Sequence, residues 1–188
     1  QAFNEYAAAY RLKPDDVQAA RHLASIAAHK QQYGVADKWF VETLRLAPDD
    51  ADTRFNHGFV LGQAGRSREA IATFAEAVRL KPSLDRAWYG MGLAHARLGE
   101  HAAAAAAFAK SIELQPMNAE GFYQWGMACH HANQPDQVKT IVGRLADRQP
   151  TYRLVSTGLA LLAASFALML TLRLDSSIGW LVAWAILG

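Results

Sequence analysis

The 188-residue sequence has a single cysteine, Cys129, so no disulfide can form within the chain and a disulfide scaffold is excluded. Neither sign of charge dominates: 19 Lys and Arg stand against 17 Asp and Glu, dispersed along the chain and not gathered in a stripe. A surface that neutralises a run of phosphates needs such a stripe, so nucleic acid is not an expected partner. The common chemical motifs are missing as well, with no nucleophile elbow, phosphate loop, HExxH or CxxC. Cys129-His130-His131 invites a metal reading, but neighbours on a helix point about 100° apart and do not close on one ion. No metal, cofactor or catalytic residue is expected, and the chain is not expected to be an enzyme. Gln1-Ala2-Phe3 shows neither an initiator Met nor a signal-peptide pattern, so residue 1 is expected to be an internal point of a longer protein.

What is present is apolar and small. Hydrophobic residues make up 52% and charged ones 19%, which excludes a disordered tail. Alanine occurs 37 times, favouring helices whose axes approach closely. Proline is scarce, yet five of its six residues, Pro14, Pro48, Pro82, Pro116 and Pro150, stand 34 residues apart. A similar phrase precedes each: RLKP at 11–14, RLAP at 45–48, RLKP at 79–82, ELQP at 113–116 and the weaker DRQP at 147–150. A fixed period of this length marks a repeat architecture. The phrases set full units at 17–50, 51–84, 85–118 and 119–152, with the second half of another at 1–16.

Other residues fall into register with this frame. Position 8 of the unit is Ala24, Gly58, Gly92 and Gly126, small enough for two antiparallel helices to meet. Position 20, facing it, is Ala36, Ala70, Ala104 and Val138; position 24 is Phe40, Phe74, Phe108 and Val142, a knob for the gap between neighbouring units. Gly65, Gly99 and Asn133 stand where a first helix must end in a left-handed residue, and Asp16, Asp50 and Asn118 where the next unit needs an N-cap. Each unit therefore reads as helix, turn, helix, stop.

On these residues the sequence resembles the tetratricopeptide repeat (TPR) family over residues 1–152. The third unit carries the resemblance most fully, with Trp88, Gly92, Gly99, Ala104, Phe108 and Pro116. Departures fall in the first and fourth units: Ala20 replaces an aromatic, Gly34 comes late in its turn, and Val138 and Val142 replace Ala and Phe. The resemblance implies an all-α, right-handed superhelical solenoid of antiparallel helix pairs, its first helices lining a concave face. Positions 5 and 9 of those helices point into the groove. Position 5 is Arg21, Phe55, Tyr89 and Tyr123, and position 9 is Ser25, Phe59, Leu93 and Met127. With Arg86 at position 2 and Asn56 at position 6, the expected peptide-binding set is Arg21, Phe55, Asn56, Phe59, Arg86, Tyr89, Leu93, Tyr123 and Met127. Some members of the family hold a C-terminal carboxylate in a five-residue clamp. Arg21, Asn56 and Arg86 match that clamp, whereas Ser25 and Gly90 depart from it. His57 and His95 occupy positions that are apolar in the family and are expected to be neutral, packed imidazoles.

The last 36 residues follow another rule. Leu154 to Leu172 is 19 residues without a charge, apolar on every side. As a helix it would be roughly 28 Å long, close to the hydrocarbon thickness of a bilayer. After a turn at 173–177 a second apolar run, Ile178 to Gly188, opens beside Trp180. Residues 153–188 are therefore expected to form a transmembrane helix or helical hairpin, one full span and a truncated second. Lys139, Arg144, Arg148 and Arg153 before the first span, against Arg173 after it, place the repeats on the cytoplasmic side.

The function expected from these features is a membrane-anchored scaffold or adaptor that binds a peptide segment of a protein partner in the concave groove. The alternative is a docking or regulatory domain of a larger membrane enzyme or envelope-biogenesis complex whose catalytic part lies outside the fragment. Self-association through the open end at residues 1–16 is a third reading.

Overall fold

In the computed structural model, the described residues are 2–116, 119–134, 136–139 and 143. The chain divides into two compact units, Gln1–Ala132 and Asn133–Gly188. The first unit holds the eight helices α1 (Ala2–Leu12), α2 (Val17–His29), α3 (Tyr33–Leu46), α4 (Ala51–Gln63), α5 (Ser67–Leu80), α6 (Asp85–Arg97), α7 (His101–Leu114) and α8 (Ala119–His131). Each packs on its neighbours in sequence, and α4 also touches α6. Among the described residues there is no strand, and the architecture is an all-α solenoid of consecutively packed helices.

The local chemistry explains the rhythm. Asp16 caps α2, its carboxylate accepting from the Gln18 and Ala19 backbone N–H at 2.9 and 3.1 Å. Asp50 caps α4, one oxygen accepting from Thr53 N–H at 3.0 Å and the other from the Thr53 hydroxyl at 2.7 Å. The third first-helix, α6, starts without a side-chain cap at Leu84, which is buried. Asn118 lies outside the described residues. Each first helix ends on a left-handed residue: Gln31 (φ 57°), Gly65 (79°), Gly99 (75°) and Asn133 (53°). The N–H of the following residue reaches back to a carbonyl five residues earlier, at 2.9 Å from Arg66 to Leu61 and 3.0 Å from Glu100 to His95. In the first unit Gln31 takes this place, and Gly34 lies inside α3 with open space around it.

Between the helices, small residues and phenylalanines interlock. Ala24, Ala36, Ala70 and Ala104 are fully buried, as are Phe40, Phe74 and Phe108. A Cβ built on Gly58 would lie 2.8 Å from the Phe74 ring, and one on Gly92 would lie 2.7 Å from Phe108. Only glycine lets α4 and α6 approach the second helix of their own hairpin so closely. The sixth position of the third unit, Gly90, is equally constrained, its Cβ direction ending 2.6 Å from Phe74 Cζ. Phe74 thus stands in α5 with its ring between Gly58 of its own hairpin and Gly90 of the next. The proline phrase is tied down from position 4 of the unit it precedes. Trp88 Nε1 donates to the Pro82 carbonyl at 3.0 Å, and Arg54 Nε and Nη2 donate to the Pro48 carbonyl at 3.1 and 2.7 Å. Ala20, in the same place of the first unit, has no donor to offer.

The helix α1 stands ahead of the first complete hairpin and packs on α2, with Tyr6 stacked on His22 at 4.5 Å. Tyr10 meets Trp39 edge to face at 5.0 Å, and its hydroxyl donates to Glu42. Among the described residues no helix is long and apolar enough to cross a membrane. The expected span 154–172 and the run 178–188 lie outside the described residues.

Candidate functional site

The candidate site is the face shared by the first helices α2, α4, α6 and α8. Its register is the sequence frame itself: residues 34 apart occupy equivalent places on successive helices. At position 9, Phe59 is 51% exposed and Met127 39% exposed, while Leu93 is half-buried. At position 5, Tyr123 is 61% exposed. Three large apolar side chains of this face, Phe59, Tyr123 and Met127, are thus open to solvent.

The remaining predicted residues lean inward. Phe55 is half-buried against the core, 6.0 Å from the Phe74 ring, and Tyr89 lies 5.5 Å from the Phe108 ring. Burial pushes the Tyr89 hydroxyl above its ordinary pKa, and the charge of Glu120 adds to the shift. Position 5 therefore supplies the floor in the middle hairpins and an open ring only in α8. Asn56 is half-buried beside Phe55.

The cations bordering the face are committed to partners within the fold. Arg21 pairs with Asp50, the N-cap of α4. Burial alone would raise the Asp50 pKa, but hydrogen bonds from Thr53 and the charge of Arg21 hold it below the ordinary carboxylate value. The Nε of Arg21 is buried without a hydrogen-bond partner. Arg86 donates to Asp52 at 2.6 Å, and its guanidinium lies 4.7 Å over the Phe55 ring. Lys81 reaches the other oxygen of Asp52 at 3.5 Å. Arg97 Nη1 donates to the Gly62 carbonyl at 2.6 Å, bridging the ends of α4 and α6. Of the residues at carboxylate-clamp positions, Arg21 and Arg86, which match, are each held by an acid, and at Gly90, which departs, the Phe74 ring leaves no room for a side chain.

Residues 55–119 match the tetratricopeptide repeat family model. That segment runs from α4 to the start of α8 and contains the glycine-phenylalanine contacts described above. Solved TPR-like structures show the same fold. MamA superposes with a TM-score of 0.69 at 19% identity, over 74% of this chain and 81% of its own. YrrB, described as a TPR protein with an unusual peptide-binding site, gives 0.64 at 22% identity, over 84% of this chain and 81% of its own. The first TPR of Spaghetti (RPAP3), solved bound to the HSP90 peptide SRMEEVD, gives 0.60 at 16% identity, over 62% of this chain and 93% of its own. At these identities the likeness is one of fold. No curated protein matches the sequence.

Elsewhere in the TPR-like stack, the two histidines at normally apolar positions each have a carboxylate partner. His57, 8% exposed, is packed as expected, and its Nε2 donates to Asp37 at 2.7 Å while Arg66 holds the other Asp37 oxygen. His95 Nδ1 lies 2.6 Å from Glu100. The rings of His101, His130 and His131 cluster, with centroids 4.9 and 5.4 Å apart. Among the described residues no three His, Cys, Asp or Glu side chains converge as metal ligands would. Cys129 is buried, and its thiol is pushed up to about 11, which keeps it protonated and a poor nucleophile. What sequence reasoning missed is Asp37, together with the pairing of Asp50 with Arg21 and of Asp52 with Arg86. One of the pairs was legible: Asp52 and Arg86 share position 2 of consecutive units, 34 residues apart.

Proposed function

We propose that this chain is a protein–protein interaction scaffold that binds a peptide segment of a partner along the face of α2, α4, α6 and α8. The observation that carries the reading is the exposure of Phe59, Tyr123 and Met127 on the first helices. The phenylalanines of the second helices, Phe40, Phe74 and Phe108, are by contrast buried. Side chains of that size gain roughly 1.5–3 kcal/mol each on full burial, enough for two or three of them to anchor a short segment. YrrB and the Spaghetti domain, by their own descriptions, bind peptides, which supports the same use of the fold here. The test is peptide selection on the full chain in mild detergent, followed by fluorescence titration of the selected peptides. The variant carrying Phe59→Glu and Tyr123→Ala is expected to lose at least about tenfold in affinity with unchanged helix content. Unchanged affinity in that variant would place binding elsewhere.

The proposal extends to anchoring at a membrane through residues 153–188, with the TPR-like stack on the cytoplasmic side. Its support is the uncharged run 154–172, Trp180 at the mouth of the second run, and the four basic residues before the first run against one after it. Two outcomes are expected: the full chain stays with the bilayer after carbonate washing, and protease added outside intact cells leaves the repeats uncut. Release by carbonate removes the anchor, and cleavage of the repeats reverses the orientation.

A further inference from the structure

We infer that the groove takes an internal, uncharged segment of its partner, held by large apolar side chains, and has no requirement for a chain terminus. The inference rests on the groove reading proposed above and specifies its ligand.

Charge complementarity decides the matter. A carboxylate ligand is held where cations are left free to meet it, with charge-assisted hydrogen bonds of their own. Here each bordering cation already has an acceptor within the fold: Arg21 faces Asp50, Lys81 and Arg86 share Asp52, and Arg97 lies on the Gly62 carbonyl. Arg21 is bound to an Asp50 that is itself fixed as a helix cap by two bonds from Thr53. An incoming carboxylate would have to share Arg21 with Asp50, which already neutralises it. Arg86 is engaged twice, by Asp52 and by the face of Phe55, and Arg97 is turned away to the Gly62 carbonyl. The place where a further base would complete a clamp is Gly90, whose lack of a side chain is required by the Phe74 ring 2.6 Å away. No substitution that adds a base there leaves the hairpin contact intact. What the face does offer is Phe59, Leu93 and Met127 at one register position of three successive helices, with Tyr123 one turn away. These are surfaces for side chains, not for a chain end.

The test uses the full chain in mild detergent and a random 16-residue library displayed with a free C-terminus, so that a carboxylate is on offer if the groove wants one. Selected peptides are then synthesised as the free acid, as the C-terminal amide, and with a Gly-Ser extension beyond the last residue. The expected result is affinities within about twofold across the three forms, two or more large apolar residues in each peptide, and at least tenfold weakening by Phe59→Glu with Met127→Glu. A tenfold or greater loss on amidation or extension overturns the inference while leaving the groove reading in place. Binding that ignores both the terminus and the Phe59/Met127 variant overturns the groove reading itself. A library that yields no saturable binder rejects both.

Discussion

Truncation of Phe74 to alanine is expected to lower the unfolding free energy by about 3–5 kcal/mol, the range for a large aromatic removed from a packed core. The ring is 2% exposed and belongs to three helices at once. It fills the space above Gly58 of α4 and Gly90 of α6 while its own backbone lies in α5. Glycine on two sides leaves no side chain there to lean into the hole, so the site collapses only in part and the cavity cost stays high. Domains of this size are stable by only about 5–15 kcal/mol, so this one change removes a large share. Stability in a stack of repeats is largely the sum of neighbour contacts, so the loss should be local as well as large. Hydrogen exchange is expected to accelerate most in α4, α5 and α6. Uniform acceleration through α2 and α8 would show that the stack melts as one unit. A second substitution fixes the cause. Gly90→Ala in the wild type sets a methyl against the ring and should cost about 1–3 kcal/mol. In the Phe74→Ala background the same change should turn neutral or favourable, because the clash is gone and alanine is the better helix former. Equal costs in both backgrounds would mean that ring and glycine are not coupled.

That contact also shows how far the sequence could be read. Position 24 was legible as a knob because a phenylalanine recurs every 34 residues opposite a glycine or alanine, and periodicity reports faithfully on which face of a helix is buried. The left-handed turn at Gly65 and Gly99 and the caps at Asp16 and Asp50 were legible for the same reason, since each obeys a backbone rule that repeats. Gly90 was read only as a departure from a ligand clamp. Its real constraint comes from a ring in the preceding hairpin, and register alone does not say how far that ring reaches. Gln31 was overlooked because a glycine stands three residues later, although glutamine there holds a left-handed φ like the glycines of the other turns. The groove was legible as a list of faces but not as a balance of charge. Whether an arginine is free or held depends on rotamers and on acids from other turns, as Asp50 and Asp52 are here. The same limit hid the contact between His57 and Asp37, which joins α4 to α3.

Replacing Asp37 by alanine is expected to cost about 1–3 kcal/mol near neutral pH, because the His57 Nε2–H is then left without its acceptor in a site almost closed to water. Asp37 lies in α3, His57 in α4, and Arg66, which also binds Glu69, at the start of α5, so the carboxylate ties one hairpin to the next. Burial on its own would raise the Asp37 pKa. Hydrogen bonds from His57 and Arg66, with the charge of Arg66, outweigh it and hold the carboxyl below its ordinary value. The sign of the pH dependence follows. A group whose folded pKa lies below its unfolded one contributes stability that is complete above the unfolded value, near 3.9 for Asp, and that is lost as pH falls through the folded value. Asn at this position keeps an acceptor for His57 but carries no charge. The stability gap between wild type and Asp37→Asn should therefore be open at neutral pH and close below about pH 4 as Asp37 takes up its proton. Glu42, held down to about 2 by Arg45 and then by Tyr10, titrates in the same acid range in both proteins and cancels from the difference. Urea unfolding of the two proteins across that range reads the gap directly. If it stays constant into acid, the pairing with His57 and Arg66 does not depend on the charge of Asp37, and the link between the hairpins is one of shape alone.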